Sequence, residues 1–179
     1  KLDQIKTYKS LIIKHGNNIN SYLKNLIIAT NSRWTSNCKA LKLMQNYATK
    51  NNCSYDLVIQ MRLDLIFYKK LILKKLDKNI FYHLYRDTEK DIAINDLFFI
   101  SNYKNAKKFS KIVNNLTRLS IRPVCASKQF LDILKIKSKG VLTLGEDVIL
   151  LRNHLSKKNI PIYKRNILYR NLKKFIKVF

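Results

Sequence analysis

Glycine is scarce in this chain: Gly16, Gly140 and Gly145 are the only three among 179 residues. Neither a GxGxxG fingerprint nor a GxxxxGK[ST] loop can be assembled from them, so the usual backbone cradles for phosphate are missing. Rossmann dehydrogenases, P-loop NTPases and kinases are disfavoured on that ground. Histidine is as sparse: His15, His83 and His154 are scattered, with no His-x-x-x-His or Cys/His spacing suited to zinc. A serine or cysteine hydrolase is unsupported, because there is no G-x-S-x-G and no histidine close to a credible nucleophile. Cys38, Cys53 and Cys125 have no CxxC spacing and leave one unpaired in any disulfide scheme, which suits a reducing compartment. No apolar run approaches a membrane span and no signal peptide is visible. The chain opens on Lys1 rather than methionine, so a processed protein or an excised portion of a longer one is expected.

Acidic residues are the other shortage. Eleven Asp plus Glu stand against 36 Lys plus Arg, a formal charge of +25. Such a field attracts polyanions: nucleic acid, anionic lipid headgroups or phosphorylated substrates. The competing explanation is a solvated surface, since lysines are spread along the whole chain beside many Asn and Ile, as an AT-rich coding sequence would produce. Length and a 46% hydrophobic content fit one globular domain with a substantial core.

Apolar periodicity organises most of the chain. Residues 1–31 carry two apolar patches that read equally as short strands or pieces of helix. Trp34, Cys38, Leu41, Met44 or Gln45, and Ala48 recur at three and four residues, which predicts a helix from about Ser32 to Asn51-Asn52, with Ser32 or Thr35 as its cap. A buried strand follows over 56–61, and the stretch from Tyr55 to Phe67 ends by delivering Arg62 and Asp64. A lysine-rich helical turn, a short strand over 80–84 and a charged loop over 86–91 come next. A second apolar run over 92–101 is interrupted by Asn95-Asp96, a pair costly to bury unless bonded. Asn102 is placed to cap a helix whose core face is Ala106, Phe109, Ile112 or Val113, and Leu116, with Lys104, Lys107, Lys108 and Lys111 outside. Arg122-Pro123 breaks that region, and residues 127–136 form another short helix. Thr143 to Glu146 has capping-box spacing, which predicts a helix over 145–157. Pro161 marks an edge strand over 160–169. Residues 171–179 read as a basic amphipathic tail suited to an anionic membrane or to packing on the body of the protein. Alternating strands and helices predict an α/β fold with a mostly parallel sheet.

With so few acids, those at element boundaries stand out: Asp56, Asp64, Asp96, Glu146 and Asp147. Ligands in open α/β sheets sit beyond the carboxyl ends of strands. An Arg-x-Asp pair there suits a phosphorylated ligand, Arg62 gripping phosphate oxygens and Asp64 accepting sugar hydroxyls or holding a divalent cation. A salt bridge closing the strand end is the plainer alternative.

The order of four blocks adds to this: Arg33-Trp34-Thr35-Ser36 opening a helix; Tyr55-Asp56-Leu57-Val58-Ile59-x-x-Arg62-x-Asp64-Leu65-x-Phe67; Asn95-Asp96-Leu97-Phe98-Phe99-Ile100-Ser101; and Gly145-Glu146-Asp147 before a predicted helix. Over roughly residues 32–170 this order resembles a family of GT-A-type glycosyltransferases of bacterial capsule, lipopolysaccharide and O-antigen loci, with similar domains in large DNA viruses. The resemblance implies a domain over 1–170 with the GT-A nucleotide-diphospho-sugar transferase fold, shortened at its amino end because the first β-α-β portion is not recognisable in residues 1–31. It implies sugar transfer, hexosyltransferase in type, from a nucleotide-sugar to a glycan or lipid-linked acceptor, in the cytoplasm or at the inner membrane face. Asp64 takes the place of the DxD carboxylate that meets the donor sugar and commonly a divalent metal, Mn or Mg. Arg62 contacts the diphosphate or fixes Asp64, and Arg33 joins them on the donor side. Asp96 lines the sugar pocket, and Glu146 or Asp147 orients or activates the acceptor hydroxyl. Position 62 is Arg, so the DxD is incomplete. The alternatives are an inactive glycosyltransferase-like domain and a basic nucleic-acid-binding module using some of the ten tyrosines for stacking; no helix-turn-helix, zinc-finger or RNP-like motif supports the latter, and nucleic acid is not the expected partner.

Overall fold

The computed structural model describes residues 21–85 and 93–151, and the predicted edge strand over 160–169, the loop over 86–91 and the tail over 171–179 lie outside them. In chain order the elements are α1 (Ser21–Lys50), β1 (Val58–Met61), β2 (Leu65–Phe67), a 3-10 turn (Leu73–Lys75), β3 (Phe81–Tyr85), β4 (Phe98–Ser101), α2 (Tyr103–Phe109), a second 3-10 segment (Ile112–Arg118), α3 (Pro123–Ile133), β5 (Ser138–Thr143) and β6 (Val148–Leu150).

α1 is longer than its periodicity from Ser32 suggested. Ile27, Trp34, Leu41 and Ala48 recur every seventh residue, and Asn31 and Cys38 fill the positions between them, so one stripe is buried along its length. Arg33-Trp34-Thr35-Ser36 therefore lies inside the helix instead of opening it, and Thr35 bonds back to Asn31 Oδ1 at 3.5 Å rather than capping. The end is where the sequence placed it. Asn52 turns left-handed at φ 47°, the Cys53 amide donates to Ala48 O at 2.9 Å and the Asn52 amide to Thr49 O at 3.3 Å. That is a Schellman stop with asparagine in the place glycine usually takes.

The sheet corrects the expectation of mostly parallel strands. Its order is β1-β4-β3-β5, with β4 antiparallel to both β1 and β3, and only β3 and β5 parallel. β2 and β6 form a separate antiparallel ribbon. The fold is α/β with a mixed sheet. β3 and β4 are buried on both faces, which is why they read as continuous apolar runs. On one face Phe81 and Phe99 meet Trp34, Phe109, Ala126, Phe130 and Leu131 from the helices. On the other, Tyr82, Leu84, Phe98 and Ile100 meet Leu65, Val148 and Leu150 of the ribbon. Three layers result, helices over sheet over ribbon. Phe109 is the hinge of the helical side, with ring centroids 4.9 Å from Phe81, 5.4 Å from Phe99 and 5.6 Å from Trp34.

Three further boundaries differ from expectation. Tyr55 to Phe67 is two strands, β1 and β2, separated by the turn that holds Arg62 and Asp64. The break expected at Arg122-Pro123 is present, with Arg122 extended at φ −88°, ψ 123°, as a residue preceding proline prefers, but α3 starts at Pro123 itself instead of residue 127, with the ring where a missing N–H costs nothing. The helix predicted over 145–157 begins instead as a turn and strand β6. Gly145 takes φ 97°, its amide donates to Val148 O at 2.7 Å, and the Thr143 amide donates to Asp147 Oδ2 at 2.9 Å. The carboxylate that takes the Thr143 amide is that of Asp147, not Glu146, and it closes a tight turn instead of capping a helix. Asn102 does cap α2 as expected, accepting from the Asn105 amide at 2.7 Å.

Candidate functional site

Antiparallel pairing of β1 with β4 places the end of one beside the start of the other. Met61 faces Phe98, and the Arg62 amide donates to Leu97 O at 3.1 Å, so the Arg62-Leu63-Asp64 turn lies against Asn95-Asp96-Leu97. α1 passes the same place and contributes Arg33. Four of the six residues given a site role from sequence thus converge on one side of the sheet edge: Arg33, Arg62, Asp64 and Asp96.

Both carboxylates are held by guanidinium groups. Arg62 grips Asp64 in a fork, Nε to Oδ1 and Nη2 to Oδ2, each at 2.8 Å. Arg33 Nη2 donates to Asp96 O, and Arg33 Nε lies 3.0 Å from Asp96 Oδ2. The Arg62–Asp64 side chains keep 26% and 28% of their surface, and Arg33 and Asp96 keep 21% and 16%, so the pairs are partly open to solvent. Burial pulls Arg33 below its ordinary range, opposed by Asp96 and reinforced by the positive charge of Arg62. The hydrogen bonds to Asp64 hold Arg62 above its own. The two pairs feel one another and form one electrostatic unit.

Local structure explains the aim of each group. Along β1 and the turn, Gln60, Arg62 and Asp64 are partly buried while Ile59, Met61 and Leu63 are exposed, the period of two expected of an edge strand. Leu63, between the pair, is 99% exposed, so an apolar edge borders the charged cluster. Asn95 is buried and accepts from the Leu97 amide at 3.0 Å, which shapes the bend that presents Asp96. Reading the sequence missed two more polar neighbours. Asn37, one turn beyond Arg33, is buried; its carbonyl oxygen lies 3.4 Å from Gln60 Nε2, and its amide Nδ2 has no hydrogen-bond partner among the described residues. In sequence the only signal was the spacing of four between Arg33 and Asn37 and of two between Gln60 and Arg62.

Glu146 and Asp147 are not brought to this cluster. The β2–β6 ribbon pairs Asp64 O with the Leu151 amide at one end and the Tyr68 amide with Asp147 O at the other. Four residues of strand separate those ends, about 13 Å. Asp147 is engaged in its own turn, 3.5 Å from Lys69 Nζ, and Glu146 is exposed. Asp56 is also apart, paired with Lys78 at 2.6 Å on the surface.

Asp64 alone was the expected metal ligand. Among the described residues no three His, Cys, Asp or Glu side chains gather in one place, and each oxygen of Asp64 already faces a guanidinium nitrogen. The donor set present fits a divalent cation poorly. All three cysteines are free thiols. No described helix is long and apolar enough to cross a membrane. Comparisons with protein-family models, with curated proteins and with solved structures return no match.

Proposed function

We propose that the chain binds a nucleoside-diphosphate sugar at the Arg33, Arg62, Asp64 and Asp96 cluster and transfers the sugar to a glycan or lipid-linked acceptor, as the GT-A glycosyltransferases it resembles do. The observation that carries this is the meeting of the Arg62-x-Asp64 turn with Asn95-Asp96, two blocks whose order first suggested the family and which lie more than thirty residues apart in the chain. An isolated strand-end salt bridge needs no second arginine–aspartate pair beside it.

The chemistry follows from the groups present. The acceptor oxygen forms a bond to the anomeric carbon as the bond from that carbon to the diphosphate breaks, and the diphosphate departs with the bonding electrons. Arg62 stabilises that charge through guanidinium hydrogens not committed to Asp64, while Asp64 fixes the plane of the fork. Asp96, held by Arg33, and Asp64 accept hydrogen bonds from sugar hydroxyls. The acceptor proton passes to a carboxylate or to the departing diphosphate. The exposed edge of Ile59, Met61 and Leu63 offers apolar surface to a lipid-linked acceptor, and the +25 charge favours approach to anionic headgroups.

Incubation with a panel of UDP-, GDP- and CDP-sugars, with Mn²⁺ or Mg²⁺ present, tests the reading. Release of the nucleotide by the wild-type chain, abolished in Asp64→Ala, is the expected result. Neither binding nor hydrolysis across the panel would overturn it.

A further inference from the structure

We infer that this site neutralises the diphosphate of its ligand with the guanidinium groups of Arg62 and Arg33 and needs no divalent cation to bind it. The inference rests on the proposed nucleotide-sugar reading and departs from what the family resemblance implies, a metal on Asp64.

A divalent cation of the Mg²⁺ or Mn²⁺ kind requires several oxygen ligands at short range with unspent negative charge. Asp64 has both oxygens in a 2.8 Å fork with Arg62, and Asp96 has Oδ2 at 3.0 Å from Arg33. A cation at Asp64 would have to displace the fork or sit beside it, within reach of two fixed positive charges. The four side chains sum to zero formal charge, so the cluster offers a dication no net attraction, and the surrounding chain at +25 repels it.

An anion meets the opposite field. A guanidinium has five N–H donors, and the fork to Asp64 uses two of those on Arg62, leaving Nη1 and the second Nη2 hydrogen for phosphate oxygens. The plane of those donors is already set by Asp64, so little rotamer freedom is lost on binding. Arg33 is the second cation, and its charged form is under-compensated: burial and Arg62 disfavour it more than Asp96 and Asp64 favour it. Negative charge brought by a ligand would relieve that. The exposed fractions of 26% for Arg62 and 21% for Arg33 leave both reachable from solvent. An arginine standing where a metal-binding carboxylate would complete a DxD is thus the electrostatic substitute for the cation.

Calorimetric titration of UDP, GDP and CDP and of their sugars into the full chain, once with excess EDTA and once with Mg²⁺ or Mn²⁺, tests this. The expected result is a nucleotide that binds with the same affinity, within about threefold, in both buffers. Arg62→Ala should lose at least about tenfold in EDTA, whereas Lys107→Ala, exposed on α2 and outside the cluster, should bind as the wild type does. Circular dichroism of each variant confirms that it is folded. Binding that disappears in EDTA and returns with metal, or that Arg62→Ala leaves unchanged in EDTA, overturns the inference while the nucleotide-sugar reading stands. No binding in either buffer overturns both.

Discussion

Arg33 on α1 and Asp96 ahead of β4 are 63 residues apart in the chain and meet through an ion pair of 3.0 Å, with Arg33 Nη2 also bonded to the Asp96 carbonyl. This contact ties the long helix to the sheet edge that bears the candidate site. Asp96→Ala keeps the carbonyl but removes the carboxylate, so a partly buried guanidinium loses its counter-charge, which should cost about 2 kcal/mol of stability in a urea titration. The double variant Arg33→Met with Asp96→Ala should recover part of that loss, because an apolar side chain leaves no buried charge unpaired. If the two single changes are simply additive, the pair is not coupled.

Gly140 is required by close approach rather than by a special dihedral. A Cβ at this position would lie 2.8 Å from the Cβ of Tyr85, where β3 and β5 pair next to the irregularity between His83 and Leu84. Backbone must shift to admit a methyl group, and truncating the Tyr85 ring would not help because the clash is with its Cβ. Gly140→Ala should destabilise the chain by about 1–3 kcal/mol. The midpoint of thermal unfolding checks this, and an unchanged midpoint would contradict it.

His83 gives the fold a pH dependence. Burial pushes its ring below the ordinary histidine range, partly offset by the hydrogen bond from Nδ1 to Leu84 O at 2.8 Å and reinforced by nearby Lys128. The unfolded chain therefore takes up this proton at a higher pH than the folded one. Stability contributed by the neutral ring is present above about pH 6.5 and is lost as pH falls below it, toward the depressed folded value. Unfolding free energies measured from pH 7.5 to pH 5 should fall more steeply for the wild type than for His83→Gln. Parallel curves would show that another group governs the slope.

What could be read from the sequence was local. The Asn52 stop of α1, the Asn102 cap of α2, the buried strands around Leu84 and Ile100 and the face of Ala106, Phe109, Ile112 and Leu116 all follow from signals spanning a few residues. The mixed sheet did not, because the insertion of β4 between β1 and β3 is a choice among distant pairings that apolar runs cannot rank. Thr143 to Asp147 misled for a different reason: a carboxylate that accepts a backbone N–H has much the same spacing in a helix cap and in the turn before β6. Within the site, charge at element boundaries made Arg62, Asp64 and Asp96 visible, while Arg33 came only with the order of blocks that carries the family resemblance. Asn37 and Gln60 stayed hidden because a buried amide beside a charged pair looks no different in sequence from the chain's many surface asparagines.

The most direct test of the account is whether the four-residue cluster is where the ligand binds. Titration of the UDP-, GDP- and CDP-sugar panel should find at least one ligand for the wild-type chain. Its affinity should fall at least about tenfold, or 1.4 kcal/mol, in Arg62→Ala and Arg33→Ala and be unchanged in Lys107→Ala, a surface variant on α2. No binding by any member, or equal binding by Arg62→Ala and the wild type, would contradict the account.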